Sequence, residues 1–212
     1  MTAQPRHKYT LEEYLEMDRK SEARLEYWNG DVFDRSGVSK EHARIEINLA
    51  RYLGTRMAQR GCLVLPANMR IKVPCAPPYR YGDLSGLCSE AHYEDIDGVD
   101  VLTNPSFIIE VLSNSTEAYD RGDKFTHYKS IPSFGEYLLI AQHRPHISHF
   151  IRQDDGSWTH REYNDLNAVV KLASLDCELG LREVYENVSF DEAAINPHLR
   201  PVERANGGTL SH

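Results

Sequence analysis

The run Phe107-Ile108-Ile109-Glu110-Val111-Leu112 constrains this chain most. Six residues, nearly all apolar, read as a central strand buried on both faces of a sheet. Glu110 breaks the run. An ionised carboxylate in such a strand costs several kcal/mol unless it is paired or holds a metal. Asp83 opens another expected strand, Asp83 to Cys88. Carboxylates on neighbouring strands can converge on one hard cation, with the backbone carbonyl of Val111 as a third oxygen. Pairing of Glu110 with a buried Arg or Lys is the structural alternative.

The remaining pattern places this strand in a mixed sheet flanked by helices, an α/β (α+β) architecture. Thr10-Leu11-Glu12-Glu13 is a capping box that opens a short helix to about Asp18. Asn29-Gly30 between Arg24–Trp28 and Asp31–Phe33 predicts a hairpin. Ile45, Leu49, Tyr52, Leu53 and Met57 form one stripe of a helix from Ser39 to Gly61. Strands are expected at 62–65 and 69–73, before a Pro-rich loop, and then on either side of an acidic loop at 94–100. A helix capped near Ser115 or Thr116 should run to Ser130. Further strands fall at 136–140, 146–152, 158–163 and 168–175, and a short helix at 181–188. The 212 residues, 41% hydrophobic and 26% charged, suit one domain over 1–195 with a frayed tail over 196–212.

No apolar stretch is long enough to span a bilayer, and residues 1–8 lack the apolar segment of a signal peptide. A cytoplasmic location is the expectation. Cys62, Cys75, Cys88 and Cys177 lack any C-x-x-C pair, so zinc is not expected. They read as reduced thiols that fill the core.

The net charge of −8 argues against general affinity for nucleic acid, yet its distribution is uneven. Nine basic residues face only two acids between Arg35 and Arg80, whereas Asp83 to Glu110 holds seven acids and no Lys or Arg. A phosphate-binding wall beside a cation site would look like this. So would a solvated helix followed by a solvated loop, the preferred account for most of these charges. His143, His146 and His149 alternate faces on a strand, and Pro145 forbids a helix, so they do not read as a metal set. Tyr27, Trp28 and Phe33 read as packing residues of the hairpin rather than as a base-stacking platform.

Several motifs, in their order and spacing, resemble the Uma family within the PD-(D/E)XK nuclease superfamily. They are Tyr9-Thr10-x-Glu12-Glu13-Tyr14-Leu15, Arg24-Leu25-Glu26-Tyr27-Trp28-Asn29-Gly30-Asp31-Val32, Glu41-His42 and Arg80-Tyr81-Gly82-Asp83-Leu84. Ile109-Glu110-Val111-Leu112-Ser113-Asn114-Ser115-Thr116, Asp120-Arg121-Gly122-Asp123-Lys124-Phe125-x-x-Tyr128 and Glu136-Tyr137 continue the likeness, which covers about residues 9 to 190. The resemblance implies a restriction-endonuclease-like core and a Mg²⁺- or Mn²⁺-dependent endonuclease acting on duplex DNA, with a two-fold homodimer suited to cutting two strands. Asp83 matches the Asp of the PD half-motif and Glu110 the acid of the (D/E)XK half-motif. Glu26 would complete the acidic cluster, and His42 matches a His at the head of the long helix, where it orients substrate, exchanges a proton or caps the helix. Gly82 replaces the usual Pro. Leu112 replaces the usual Lys, and the resemblance implies that Lys124 of the next helix supplies that ammonium, with Tyr128 one turn further on. A catalytically silent nuclease fold, serving as a nucleic-acid-binding or homodimeric assembly module, is the alternative.

Overall fold

The computed structural model describes residues 7–190 except 35, 36, 76, 97, 114 and 115. The expected tail over 196–212 and the cap candidate Ser115 lie outside the described residues, and Thr116, the other cap candidate, makes no side-chain capping bond. Thr10 caps α1 (Leu11–Lys20) through the capping box: Glu13 N–H donates to Thr10 Oγ1 at 3.2 Å, and Thr10 N–H to Glu13 Oε2 at 2.7 Å. β1 (Leu25–Trp28) and β2 (Asp31–Asp34) form the expected hairpin. Its turn has φ of 49° at Asn29 and 82° at Gly30, the left-handed pair that a two-residue hairpin turn requires. α2 (Lys40–Ala58) starts at Ser39, whose Oγ accepts from His42 N–H at 3.1 Å. Ile45, Leu49, Leu53 and Met57 are fully buried along one stripe, each worth about 1.5–3 kcal/mol of apolar burial.

Seven strands follow: β3 (Leu63–Pro66), β4 (Arg70–Lys72), β5 (Tyr79–Tyr81), β6 (Leu84–Leu87), β7 (Tyr93–Ile96), β8 (Val99–Leu102) and β9 (Phe107–Leu112). The expected acidic loop at 94–100 is instead the hairpin β7–β8, with Gly98 at φ 83° in its turn. Glu94, Asp95 and Asp100 sit on exposed positions, so water screens the like-charge pair Asp95↔Asp100 that the register sets face to face. β5 escaped the pattern because Tyr79, Arg80 and Tyr81 are all buried and show no alternation. The expectation of four thiols also fails at two positions. The register Leu63↔Leu87 sets Cys62 opposite Cys88, their Cα atoms 4.1 Å apart, and the two form a disulfide. Cys75 and Cys177 are free.

The expected helix over 115–130 is broken into α3 (Glu117–Tyr119), a π-helical turn (Asp120–Lys124) and α4 (Phe125–Lys129). Then come β10 (Glu136–Ala141), β11 (Ile147–Arg152), β12 (Trp158–Tyr163), β13 (Val169–Leu172), β14 (Cys177–Gly180) and α5 (Leu181–Val184). β14 pairs with β13, and the left-handed Asp176 (φ 44°) turns the chain between them.

The central sheet has the order β12-β11-β10-β9-β6-β3, and only its β9–β10 pair is parallel. A smaller sheet runs β5-β4-β8-β7. Alternation along β9 splits the core. Phe107, Ile109 and Val111 join the apolar cluster under α2 and α5, whereas Ile108 and Leu112 join the cluster under α4 with Phe125, Tyr128 and Tyr137. Glu110 belongs by parity to the second face, beneath the helix that carries Lys124. α1 and the β1–β2 hairpin close a third cluster around Tyr14, Tyr79 and Tyr81.

Candidate active site

Asp83 leads into β6, whose register against β9 (Leu84↔Ile109) carries it to the level of Glu110. Two bonds fix it: Asp83 N–H donates to Ile109 O at 3.0 Å, and Val111 N–H donates to Asp83 Oδ2 at 2.7 Å. Val111 therefore meets Asp83 through its N–H. Gly82 lets the chain pass close to β9, because a Cβ there would lie 2.8 Å from Ile108 Cγ2. That close approach accounts for glycine at this position.

Glu110 is fully buried. Lys124 Nζ lies 2.9 Å from Glu110 Oε1, 3.5 Å from Glu26 Oε1 and 3.4 Å from Asp120 Oδ1. Tyr128 Oη donates to the same Glu110 oxygen at 3.1 Å. Burial, then Glu110, pushes the Tyr128 hydroxyl well above its ordinary pKa, which keeps it a proton donor. Tyr137 Oη donates to the Asp120 carbonyl at 3.0 Å, and burial raises it likewise. Burial first, and Glu26 next, push Tyr119 up to about 12. Glu26, Glu110, Lys124 and Asp120 thus form one buried ionic cluster. Leu112, the strand position that would carry a Lys in an E-x-K motif, packs in the core below.

His42 sits on the other side of Asp83. Its Nε2 lies 3.5 Å from Asp83 Oδ1 and 4.0 Å from Glu46 Oε2. Burial, then Asp83, raises the pKa of Glu46. His42 and Asp83 line a cavity of about 150 Å³ with Asp34, Ser39, Thr116 and Gln142. It opens at the head of α2, where backbone N–H groups favour an anion.

The structure therefore brings Glu26, Glu110 and Lys124 into one cluster and pairs Asp83 with His42 beside it. Sequence reasoning missed Asp120, although its i,i+4 spacing to Lys124 was visible. Among the described residues no three His, Cys, Asp or Glu side chains are set together as a ready-made metal site. Carboxylate oxygens do suit a hard cation, and Mg²⁺ characteristically takes one or two carboxylates and completes its shell with water and phosphate oxygens. His146 and His149 are spoken for: His149 Nε2 lies 2.6 Å from Glu136 Oε1, and His146 bonds Asn164 and Ser148. Much of the basic run is locally paired, Arg70 with Asp18, Lys72 with Glu94, Arg51 with Glu186 and Arg60 with Asp176. The hairpin aromatics divide: Tyr27 packs inward, but Trp28 and Phe33 are exposed, contrary to the packing role expected of them. Among the described residues no helix is long and apolar enough to cross a membrane.

Comparison with known proteins agrees with this architecture. A crystal structure titled as a "putative nuclease belonging to DUF820" from Anabaena variabilis superposes with a TM-score of 0.65 at 17% identity, covering 83% of this chain and 97% of that one. At that identity the likeness speaks for the fold, which is restriction-endonuclease-like. Two Synechocystis proteins described as uncharacterised are similar in sequence. One, slr1290, is 28% identical over 186 residues, 88% of this chain and 96% of that protein. The other, sll1609, is 31% identical over 164 residues, 77% of this chain and 92% of that protein. The sequence profile of the family described as "Uma2: Putative restriction endonuclease" matches residues 11–182, and the chain belongs to that family.

Proposed function

We propose that this protein is a divalent-metal-dependent nuclease that hydrolyses phosphodiester bonds of DNA. The observation that carries the reading is Lys124, which reaches from the π-helical turn to within 2.9 Å of Glu110 in place of the strand lysine lost at Leu112. Family membership and the nuclease-like fold support it.

Asp83 and Glu110, with the Val111 carbonyl, would hold Mg²⁺ or Mn²⁺. The metal would lower the pKa of a bound water and neutralise charge on the phosphate. Lys124 offers a dry, preorganised ammonium where negative charge builds in the transition state, and Tyr128 fixes the Glu110 carboxylate that holds it. Glu26 and Asp120 orient the same ammonium from two sides. His42, in the cavity beside Asp83, is placed to orient a phosphate or exchange a proton. A homodimer would present two such sites to the two strands.

One observation favours the silent-module reading. Lys124 is fully buried among its carboxylates, and a closed ionic cluster of this kind can serve as a structural pin. Calorimetric titration with Mn²⁺ separates the two. Saturable binding in the wild type, lost in Asp83→Asn and Glu110→Gln, is the nuclease outcome. Lys124→Ala should then keep the metal and lose cleavage. Absence of binding without nucleic acid and with either duplex or single-stranded DNA leaves the silent module.

A further inference from the structure

Two exposed aromatic rings flank the carboxylate that closes the cluster. In the hairpin register Glu26 pairs with Phe33 and Trp28 with Asp31, so Glu26, Trp28 and Phe33 share one face. Glu26 turns inward to Lys124, whereas Trp28 is 41% and Phe33 45% exposed. Trp28 is held in place: its indole Nε1 donates to Asp123 Oδ2 at 3.0 Å, and its ring meets Tyr119 at 5.4 Å between centroids. Asp123 and Tyr119 belong to the same helical segment as Lys124. An indole fixed on its edge and still partly open is preorganised for stacking.

Beside it lies a cavity of about 370 Å³, lined by Tyr27, Trp28, Asn29, Arg80, Asp123 and His127. The guanidinium of Arg80 is buried there, donating to the carbonyls of Pro77 and Tyr79 at 3.0 and 2.8 Å. Its Nη2 donates to Cys75 Sγ at 3.7 Å, its Nε is shielded from solvent, and among the described residues no carboxylate neutralises it at ion-pair distance. Burial, then Arg80, lowers the pKa of His127 and favours the neutral imidazole. The cavity thus joins a fixed aromatic face to the field of a buried positive charge, with the Asp123 carboxylate also on its wall. A nucleobase can stack on that face. Elsewhere many basic residues are consumed in local ion pairs, so a ladder of phosphate contacts along a paired duplex is poorly provided for. Stacking on an aromatic face adds about 1–3 kcal/mol per base to the backbone contacts that remain.

We propose that Trp28 is a stacking platform for an unpaired nucleobase of the substrate, with the Arg80 cavity beside it, and that the chain prefers single-stranded or locally opened nucleic acid to paired duplex. This rests on reading the neighbouring cluster as hydrolytic. The test uses fluorescence, because the chain has only two tryptophans. In Trp158→Phe protein, with EDTA present, a twelve-residue oligothymidylate should quench Trp28 saturably, and a blunt duplex of equal length should bind at least tenfold more weakly. In otherwise wild-type protein, Trp28→Ala should weaken oligothymidylate binding roughly 5- to 150-fold, and Trp28→Tyr should recover most of it. Absence of quenching, equal affinity for the duplex, or binding indifferent to Trp28 would overturn the proposal. So would Trp28→Ala turning a dimer into a monomer in light scattering, because the ring would then be a contact between copies. Should Trp28→Ala not fold, the quenching arm decides. Failure of the hydrolytic reading shows separately, as Mn²⁺ binding absent from the wild type or as a Lys124→Ala variant that cleaves like wild type.

Discussion

Replacing Lys124 by Met keeps the length and apolar stem of the side chain and deletes its charge. The ammonium lies within 3.5 Å of Glu26, Glu110 and Asp120, and the side chain has no exposed surface. Removing one partner from a buried ionic set costs about 3–5 kcal/mol, because the carboxylates left behind repel one another in a dry site. For a domain of this size that is roughly 6–20 °C in Tm. Urea unfolding at pH 8, followed by circular dichroism, reads the loss. Mn²⁺ at pH 8 should narrow the gap, since a cation can then sit among the freed oxygens. A variant within 1 kcal/mol of wild type at pH 8 would refute the coupling.

Other consequences can be checked on the same protein. Tyr14, Tyr79, Tyr81, Tyr119, Tyr128, Tyr137 and Tyr185 all have hydroxyl pKa values raised by burial, Tyr79 to about 12. The unfolded chain loses these protons near pH 10 and the folded chain does not, so their stabilising contribution is intact below pH 10 and is lost as pH rises further. Phenolate absorbance of these residues should therefore rise together with unfolding; a rise completed before any loss of circular dichroism would contradict the burial. Asn48 Nδ2 donates to Val184 O at 3.0 Å and Glu186 O at 2.9 Å, tying the end of α5 to α2. Asn48→Ala should cost about 1–3 kcal/mol in urea unfolding, by stranding those carbonyls. Gly82→Ala should cost about 1–3 kcal/mol through its clash with Ile108. It should also weaken Mn²⁺ binding by displacing Asp83, an effect that calorimetry reads separately from stability.

The legible parts of this fold were those with a local cause. The capping box, the Asn29-Gly30 turn and the Ile45–Met57 stripe are each settled within a few residues, and they fell where expected. Glu110 was legible for the opposite reason, as a charge that local preference cannot explain. What stayed hidden depends on partners far along the chain. The Cys62–Cys88 disulfide requires the β3–β6 register, which no spacing reveals. Asp120 looks like any helical acid until β9 is placed beneath it. Trp28 follows the alternation of its strand, and the bonds that fix its ring come from Asp123 and Tyr119, far along the chain.

The same reasoning explains why a lysine can leave the strand, and suggests how to return it. Residues 110 and 112 share a face of β9, so a lysine at 112 would start two residues from the carboxylate it serves. Leu112 instead fills the cluster with Phe125 and Tyr128, and the helix above supplies the ammonium. The π-helical turn makes this workable, because it buries both Asp120 and Lys124 over the sheet. The exchange Leu112→Lys with Lys124→Met keeps one ammonium and one apolar filler. If charge near Glu110 is what matters, the double variant should be more stable at pH 8 than Lys124→Met alone, and should regain part of any metal-dependent cleavage. Leu112→Lys alone adds a cation to a packed apolar site and should be less stable than wild type. Should the double variant cost as much as the two single changes summed, the two positions do not communicate through Glu110. The helix lysine would then owe its place to Asp120 and Glu26 rather than to the strand carboxylate.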